Sequence, residues 1–194
     1  MKKLINVLVL TFSVLLFLNC KSQSKVRNFQ NTSEKEIYDI VNFILLKGPF
    51  QSHVVVNECK SFTLDESDKA VLLSLDGIIT KEGVDYLAEQ TKDTSTFTLQ
   101  NSKLDNSILV IDSSEVEKDI KTFEESKKYW EAIFEKYPDS YTTLSKPILT
   151  ADKNILLIRF SKYCGSLCGT GGIMVFVKKG NEWDLRAITS SWDS

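Results

Sequence analysis

The feature that most constrains the fold is a change of period near Tyr141. Before it, apolar residues recur at helical spacing; after it they fall in short extended runs separated by turn residues. Four strands are expected downstream: Thr143 to Thr150, Ile155 to Tyr163, Gly172 to Lys178 and Glu182 to Thr189. They are joined by Ala151-Asp152-Lys153-Asn154, a glycine-rich loop and Lys179-Gly180-Asn181. Such short connections join antiparallel neighbours, because a parallel return needs a crossover of about a dozen residues. In the last strand Trp183, Leu185 and Ala187 are expected on one face, with Asp184 and Arg186 on the other. The run Ile173 to Val177 is apolar at every position, which places it at the sheet centre, with helices covering one side.

The upstream half reads as helices. Ser33 and Glu36 have capping-box spacing, Gly48-Pro49 supplies a stop, and Ile37, Ile40, Val41, Ile44 and Leu45 form one apolar face between them. A short strand is expected at Phe62 to Leu64. Asp65 or Ser67 caps a helix through Leu75, ended near Gly77, and Thr80 caps another over Lys81 to Thr91. Ser107 to Ile111 is a β-branched run, expected as a short strand or an extended packed segment, before a long helix. Ser113 and Ser114 cap that helix, Val116, Ile120, Phe123, Trp130, Ile133, Phe134 and Tyr137 line it, and Pro138 ends it, with a break placed near Ser126. The expected fold class is therefore α+β: a helical N-terminal half packed on a C-terminal four-stranded antiparallel meander.

The first residues, MKKLINVLVLTFSVLLFLNC, belong to none of this. Lys2 and Lys3 precede an apolar core from Leu4 to Leu18, shorter than the ~20 residues a membrane-spanning helix needs, so the segment reads as an export signal. Leu16-Phe17-Leu18-Asn19-Cys20 resembles a loose bacterial lipobox, with Phe17, Leu18 and Asn19 departing from the usual residues. On that reading Cys20 is lipidated, and its acyl chains anchor the protein at roughly 0.8 kcal/mol per buried methylene. The alternative is conventional cleavage after Ser22, using Cys20 and Ser22 as the small residues.

The domain organisation follows: residues 1–19 a lipoprotein signal peptide, 20–32 the lipidated cysteine and a polar tether, and 33–194 a single α+β domain. The tether KSQSKVRNFQNT reaches roughly 40 Å when extended. No acidic cluster follows Cys20, which points to a periplasm-facing anchor on the outer membrane of the cell envelope. Losing residues 1–19 removes two lysines and no acid, so 24 basic and 26 acidic residues become 22 and 26, a formal charge of −4. With no basic patch to release counterions, nucleic acid is excluded as a partner.

The residues WEAIFEKYPDSY, the hairpin YCGSLCGTGG, the turn GNEW and the closing WDS together resemble an uncharacterised class of bacterial exported lipoproteins of the Bacteroidetes type. The matching positions are Trp130, Phe134, Tyr137, Pro138, Cys164, Gly165, Cys168, Gly169, Gly171, Gly180, Trp183, Trp192 and Ser194. The segment DYLAEQ and Leu104 extend the likeness to about half of the mature chain. The resemblance supports the architecture and implies no activity.

Chemistry is concentrated at Cys164 and Cys168. Two thiols at this spacing form a structural disulfide, bind a soft metal or cycle between redox states, and an oxidising envelope favours the disulfide, with Gly165, Gly169, Gly171 and Gly172 permitting a tight turn. A C-x-x-x-C pair with a distant histidine also resembles copper-chaperone chemistry of the thioredoxin-like fold, but those thiols sit at a helix N-terminus and here both flanks read as strands. A zinc site would have to recruit Cys59 and His53, the sole histidine, and Cys59 is otherwise buried or paired with Cys164 or Cys168. No catalytic residue, metal ligand or cofactor is assigned: there is no G-x-S-x-G, no S-x-x-K and no phosphate loop. Trp130 and Trp183, with Gly165 and Gly169, are the candidate binding residues. The expected function is a non-catalytic module contacting an envelope protein or a small ligand, the alternative a thiol-redox or metal-binding protein using Cys164 and Cys168.

Overall fold

The computed structural model describes residues 32–194, except 76, 117–120, 138, 139 and 166. The signal segment, Cys20 and all of the tether but Thr32 lie outside the described residues, as do Ile120 and Pro138. The chain forms a seven-stranded mixed sheet with helices on both faces, not a four-stranded antiparallel meander.

Helix α1 spans Glu34–Lys47, and the Ser33 side chain accepts from the Glu36 backbone N–H at 3.3 Å. The Glu36 carboxylate does not return to the cap; it pairs with Lys153 at 2.6 Å, tying α1 to a sheet turn. There follow β1 (Val54–Val56), β2 (Glu58–Cys59), α2 (Glu66–Ser74), α3 (Lys81–Gln90), β3 (Phe97–Thr98) and β4 (Leu109–Ile111). Asp65 and Thr80 cap α2 and α3 as expected. Phe62 to Leu64 is not a strand: Phe62 and Leu64 are buried side chains on an irregular segment.

The helix expected from Ser113 to Pro138 is two helices, α4 (Ser113–Val116) and α5 (Phe123–Lys136), because Thr122 and Glu125 form a complete capping box that starts a new helix. The division falls before Phe123, not near Ser126. Strands β5 (Tyr141–Leu144), β6 (Ile148–Leu149), β7 (Ile155–Gly165), β8 (Cys168–Lys179) and β9 (Glu182–Asp193) complete the fold. The first expected strand is thus divided, since Lys146 donates its backbone N–H to Lys60 and Pro147 has none to offer the sheet.

Strand order is β4-β1-β5-β7-β8-β9, with β6 also paired to β7. The pairings from β5 to β9 are antiparallel, as the short turns require. The correction comes from β1, which runs parallel to both β4 and β5. The short strand expected within Ser107 to Ile111 is present as β4, but β1 and the parallel pairing closed by helical crossovers escape a reading based on hairpins.

Alternation assigns the faces. Val55 packs under α1 with Leu156, Ile158, Phe160, Met174 and Phe176, whereas Val54 and Val56 pack under α5 with Ile111, Ile133 and Tyr141. Leu157, Ile173 and Val175 pack against Leu72 of α2 and Val84 and Leu87 of α3 on that second face. Helices therefore cover both sides of the sheet, correcting the one-sided cover expected from sequence. A register shift between Val175/Ala187 and Phe176/Leu185 also breaks the alternation of β9. Trp183 and Leu185 consequently face α1, while Ala187 joins the opposite layer.

One polar contact fastens the helices of the second face to β9. Asp68, 1 % exposed, accepts from the Thr189 and Ser190 hydroxyls at 2.7 Å each and from the Asp65 backbone N–H at 3.1 Å. Ser190 is held at φ +47° in the same contact. Burial opposes ionisation of Asp68, but the hydrogen bonds from Ser190, Thr189 and Asp65, with the field of Arg159, outweigh it and hold the carboxyl below its usual range. A carboxyl depressed in the folded state contributes stability that is full above the unfolded value near pH 4 and is lost as pH falls through the folded value. Asp68→Asn is accordingly expected to lower stability by about 2 kcal/mol at pH 7. In urea titrations the gap from the unaltered chain should close under strong acid, and a gap independent of pH would count against this account.

Candidate functional site

Strands β7 and β8 end in a hairpin that carries both candidate cysteines. Cys164 and Cys168 lie at disulfide distance with Cα atoms 5.0 Å apart. Gly165 sits between them at φ +153°, a conformation open to glycine and rarely to other residues, so the turn depends on it. The other hairpin glycines have a different role from the one sequence suggested. A Cβ on Gly171 would lie 2.3 Å from Trp192 Nε1, and one on Gly169 would lie 3.1 Å from the same indole. Their bare backbone is the seat of Trp192, and the Gly169 and Ser194 backbones exchange hydrogen bonds beside it at 3.0 and 3.3 Å.

From that seat an unbroken row of rings crosses the second sheet face. Trp192 meets Tyr163 at 5.9 Å, Tyr163 stacks on Tyr141 at 5.2 Å, Tyr141 on Trp130 at 6.0 Å and Trp130 on Phe134 at 5.8 Å. Register produces the row: Tyr141 faces Tyr163 and Gly171 faces Trp192 across the strands, while α5 adds Trp130 and Phe134 at helical i, i+4 spacing. Burial pushes the Tyr141 phenol up, aided by its hydrogen bond with Tyr129, so it stays protonated at neutral pH.

The sequence candidates are thus partly assembled. Cys164, Cys168, Gly165, Gly169 and Trp130 share one end of the second face, but Trp183 packs on the α1 side, its ring beneath Lys178 Nζ at 5.5 Å. Cys59 is buried and unpaired in the layer under α1, where desolvation pushes its thiol up to about 12. It is therefore a core residue, apart from the hairpin. His53 is exposed just before β1, its backbone carbonyl accepting from Leu109.

Beside the aromatic row lies a cleft of about 290 Å³ that sequence reasoning missed. Its floor holds Thr143 and Ser161, a cross-strand pair, and Arg159 two residues along β7. Tyr141 and Tyr163 line one end, and Glu58 and Lys60 belong to the rim. Arg159, Ser161 and Tyr163 alternate along a strand, so their common face was legible; their pairing with Thr143 was not. No family model, no curated protein and no solved structure matches this chain.

Gly171→Ala is expected to cost about 1–3 kcal/mol by overpacking against the indole, and much less in a Trp192→Ala background; equal costs in both would refute the seat. For the cysteines, native alkylation followed by intact mass should find Cys59 unmodified and Cys164 and Cys168 protected until reductant is added. Closing a five-residue ring stabilises by about 2 kcal/mol, so Cys164→Ser with Cys168→Ser should lower stability by about that amount.

Proposed function

We propose that this chain is a lipoprotein anchored through Cys20 in the bacterial cell envelope, whose domain binds an envelope protein or a small ligand without catalysing a reaction. The observation that carries the binding reading is the cleft on the second sheet face, set beside five aromatic rings held by strand register and by α5. Recognition surfaces of this kind combine rigid rings with a small number of placed polar groups. The resemblance to Bacteroidetes-type exported lipoproteins and the apolar stretch ending at Cys20 support the location. Among the described residues no helix is long and apolar enough to cross a membrane. Anchoring on the periplasmic side of the outer membrane would also favour oxidation of Cys164 and Cys168.

In intact cells, crosslinking and mass spectrometry should capture an envelope partner above the background of a control lipoprotein; its absence would remove the protein-binding version. Cys20→Ser should abolish incorporation of labelled palmitate and move the chain from the membrane to the soluble fraction. Persistence of the label in that variant would overturn the anchor.

A further inference from the structure

We propose that the cleft beside the aromatic row is a binding site for a small monocarboxylate, with Arg159 as the residue that receives the carboxylate. This deepens the small-ligand reading of the proposed function and rests on it.

Arg159 interrupts the apolar first half of β7: Leu157 and Ile158 before it and Phe160 after it are all buried, while its own side chain is exposed along the cleft. Its backbone N–H is satisfied by the Ser145 hydroxyl at 2.9 Å, yet among the described residues its guanidinium makes no ion pair and no hydrogen bond. Asp68, the carboxylate that feels the field of Arg159, is itself committed to the Thr189 and Ser190 hydroxyls. A guanidinium in such a setting offers a planar fork matched to a carboxylate. The floor adds the Thr143 and Ser161 hydroxyls, which make no hydrogen bond among the described residues and are placed side by side by strand pairing. They can serve a ligand hydroxyl or the second carboxylate oxygen.

The charge balance of the rim narrows the class. Lys60 stands 3.8 Å from the Glu58 carboxylate, so the local surroundings add no net positive charge to that of Arg159. A single guanidinium matches a monoanion, whereas a doubly charged phosphate would keep one charge unmatched. A volume of about 290 Å³ is at the small end of ligand sites, suited to a body the size of a single ring or one amino acid.

The test uses the full-length chain purified in detergent, titrated with glucuronate, benzoate and acetyl-alanine and followed by amide NMR. Glucose, benzamide and acetyl-alanine methyl ester serve as neutral counterparts. At least one carboxylate should bind with shifts centred on Thr143, Arg159 and Ser161, and the one that does distinguishes a sugar acid, an aromatic acid and a peptide-like carboxylate. Arg159→Gln should weaken that binding by about tenfold or more while the melting temperature stays within about 3 °C. Thr143→Val with Ser161→Ala should weaken it by about threefold to tenfold.

Failure of all three carboxylates to bind at millimolar concentration would overturn the site, as would equal binding of a neutral counterpart or undiminished binding by Arg159→Gln. If no carboxylate binds and the Arg159→Gln chain still captures an envelope partner in cells, the carboxylate site falls and the binding module stands. Carboxylate binding with no partner captured supports the site and removes only the protein-binding version of that module.

Discussion

The antiparallel pairing of β7 with β8 supports the other layers of this structure. Ile155 faces Val177 and the register runs on to Tyr163 against Gly169, so the two strands carry side chains to both helical layers at once. Leu156, Ile158, Phe160, Met174 and Phe176 bury on the α1 side, and Leu157, Ile173 and Val175 on the side of α2 and α3. Removing Phe160 or Phe176 would cost about 3–5 kcal/mol, because a close-packed interior relaxes only partly around a lost ring. The same pairing, continued past the buried zone, brings Cys164 and Cys168 together, while β5 on the other side of β7 aligns Tyr141 with Tyr163.

The far end of that hairpin is built differently from its middle. Glycine replaces bulk at 169 and 171, and the indole of Trp192 takes the space that side chains there would fill. Aromatic rings then supply the contacts that aliphatic residues supply elsewhere, and they leave the second face open between the α2–α3 cover and α5. The cleft occupies this gap, with Thr143, Ser161 and Arg159 on its floor. An open, polar strip on a sheet otherwise covered on both faces is the natural location for recognition.

Much of the local structure was legible from residue patterns. The apolar stripe of α1, the caps at Ser33, Asp65 and Thr80, and the runs that became β7, β8 and the first part of β9 follow from period and turn chemistry alone. Three features were not legible for definite reasons. Val54–Val56 is too short to show alternation, and its parallel pairing with the expected strand at Leu109–Ile111 is decided by a crossover longer than any local signal. The bulge at Ala187 and Leu185 turned Trp183 from the aromatic side to the α1 side, since one extra residue reverses every face beyond it. The interruption of the long helix was expected near Ser126 from the stripe, but the capping box at Thr122 and Glu125 places it before Phe123.

By itself the sequence determined an α+β chain with a turn-rich, strand-forming C-terminal half and a hairpin bearing two cysteines. These are local properties, set by composition, spacing and turn residues within a few positions of one another. Only the tertiary structure decided that the sheet is mixed and covered on both faces, that Trp130, Tyr141, Tyr163 and Trp192 form one row, and that Arg159 stands uncommitted in a cleft. Each depends on strand order and register, which arise from contacts between segments distant in the chain and leave no periodic trace in any one of them.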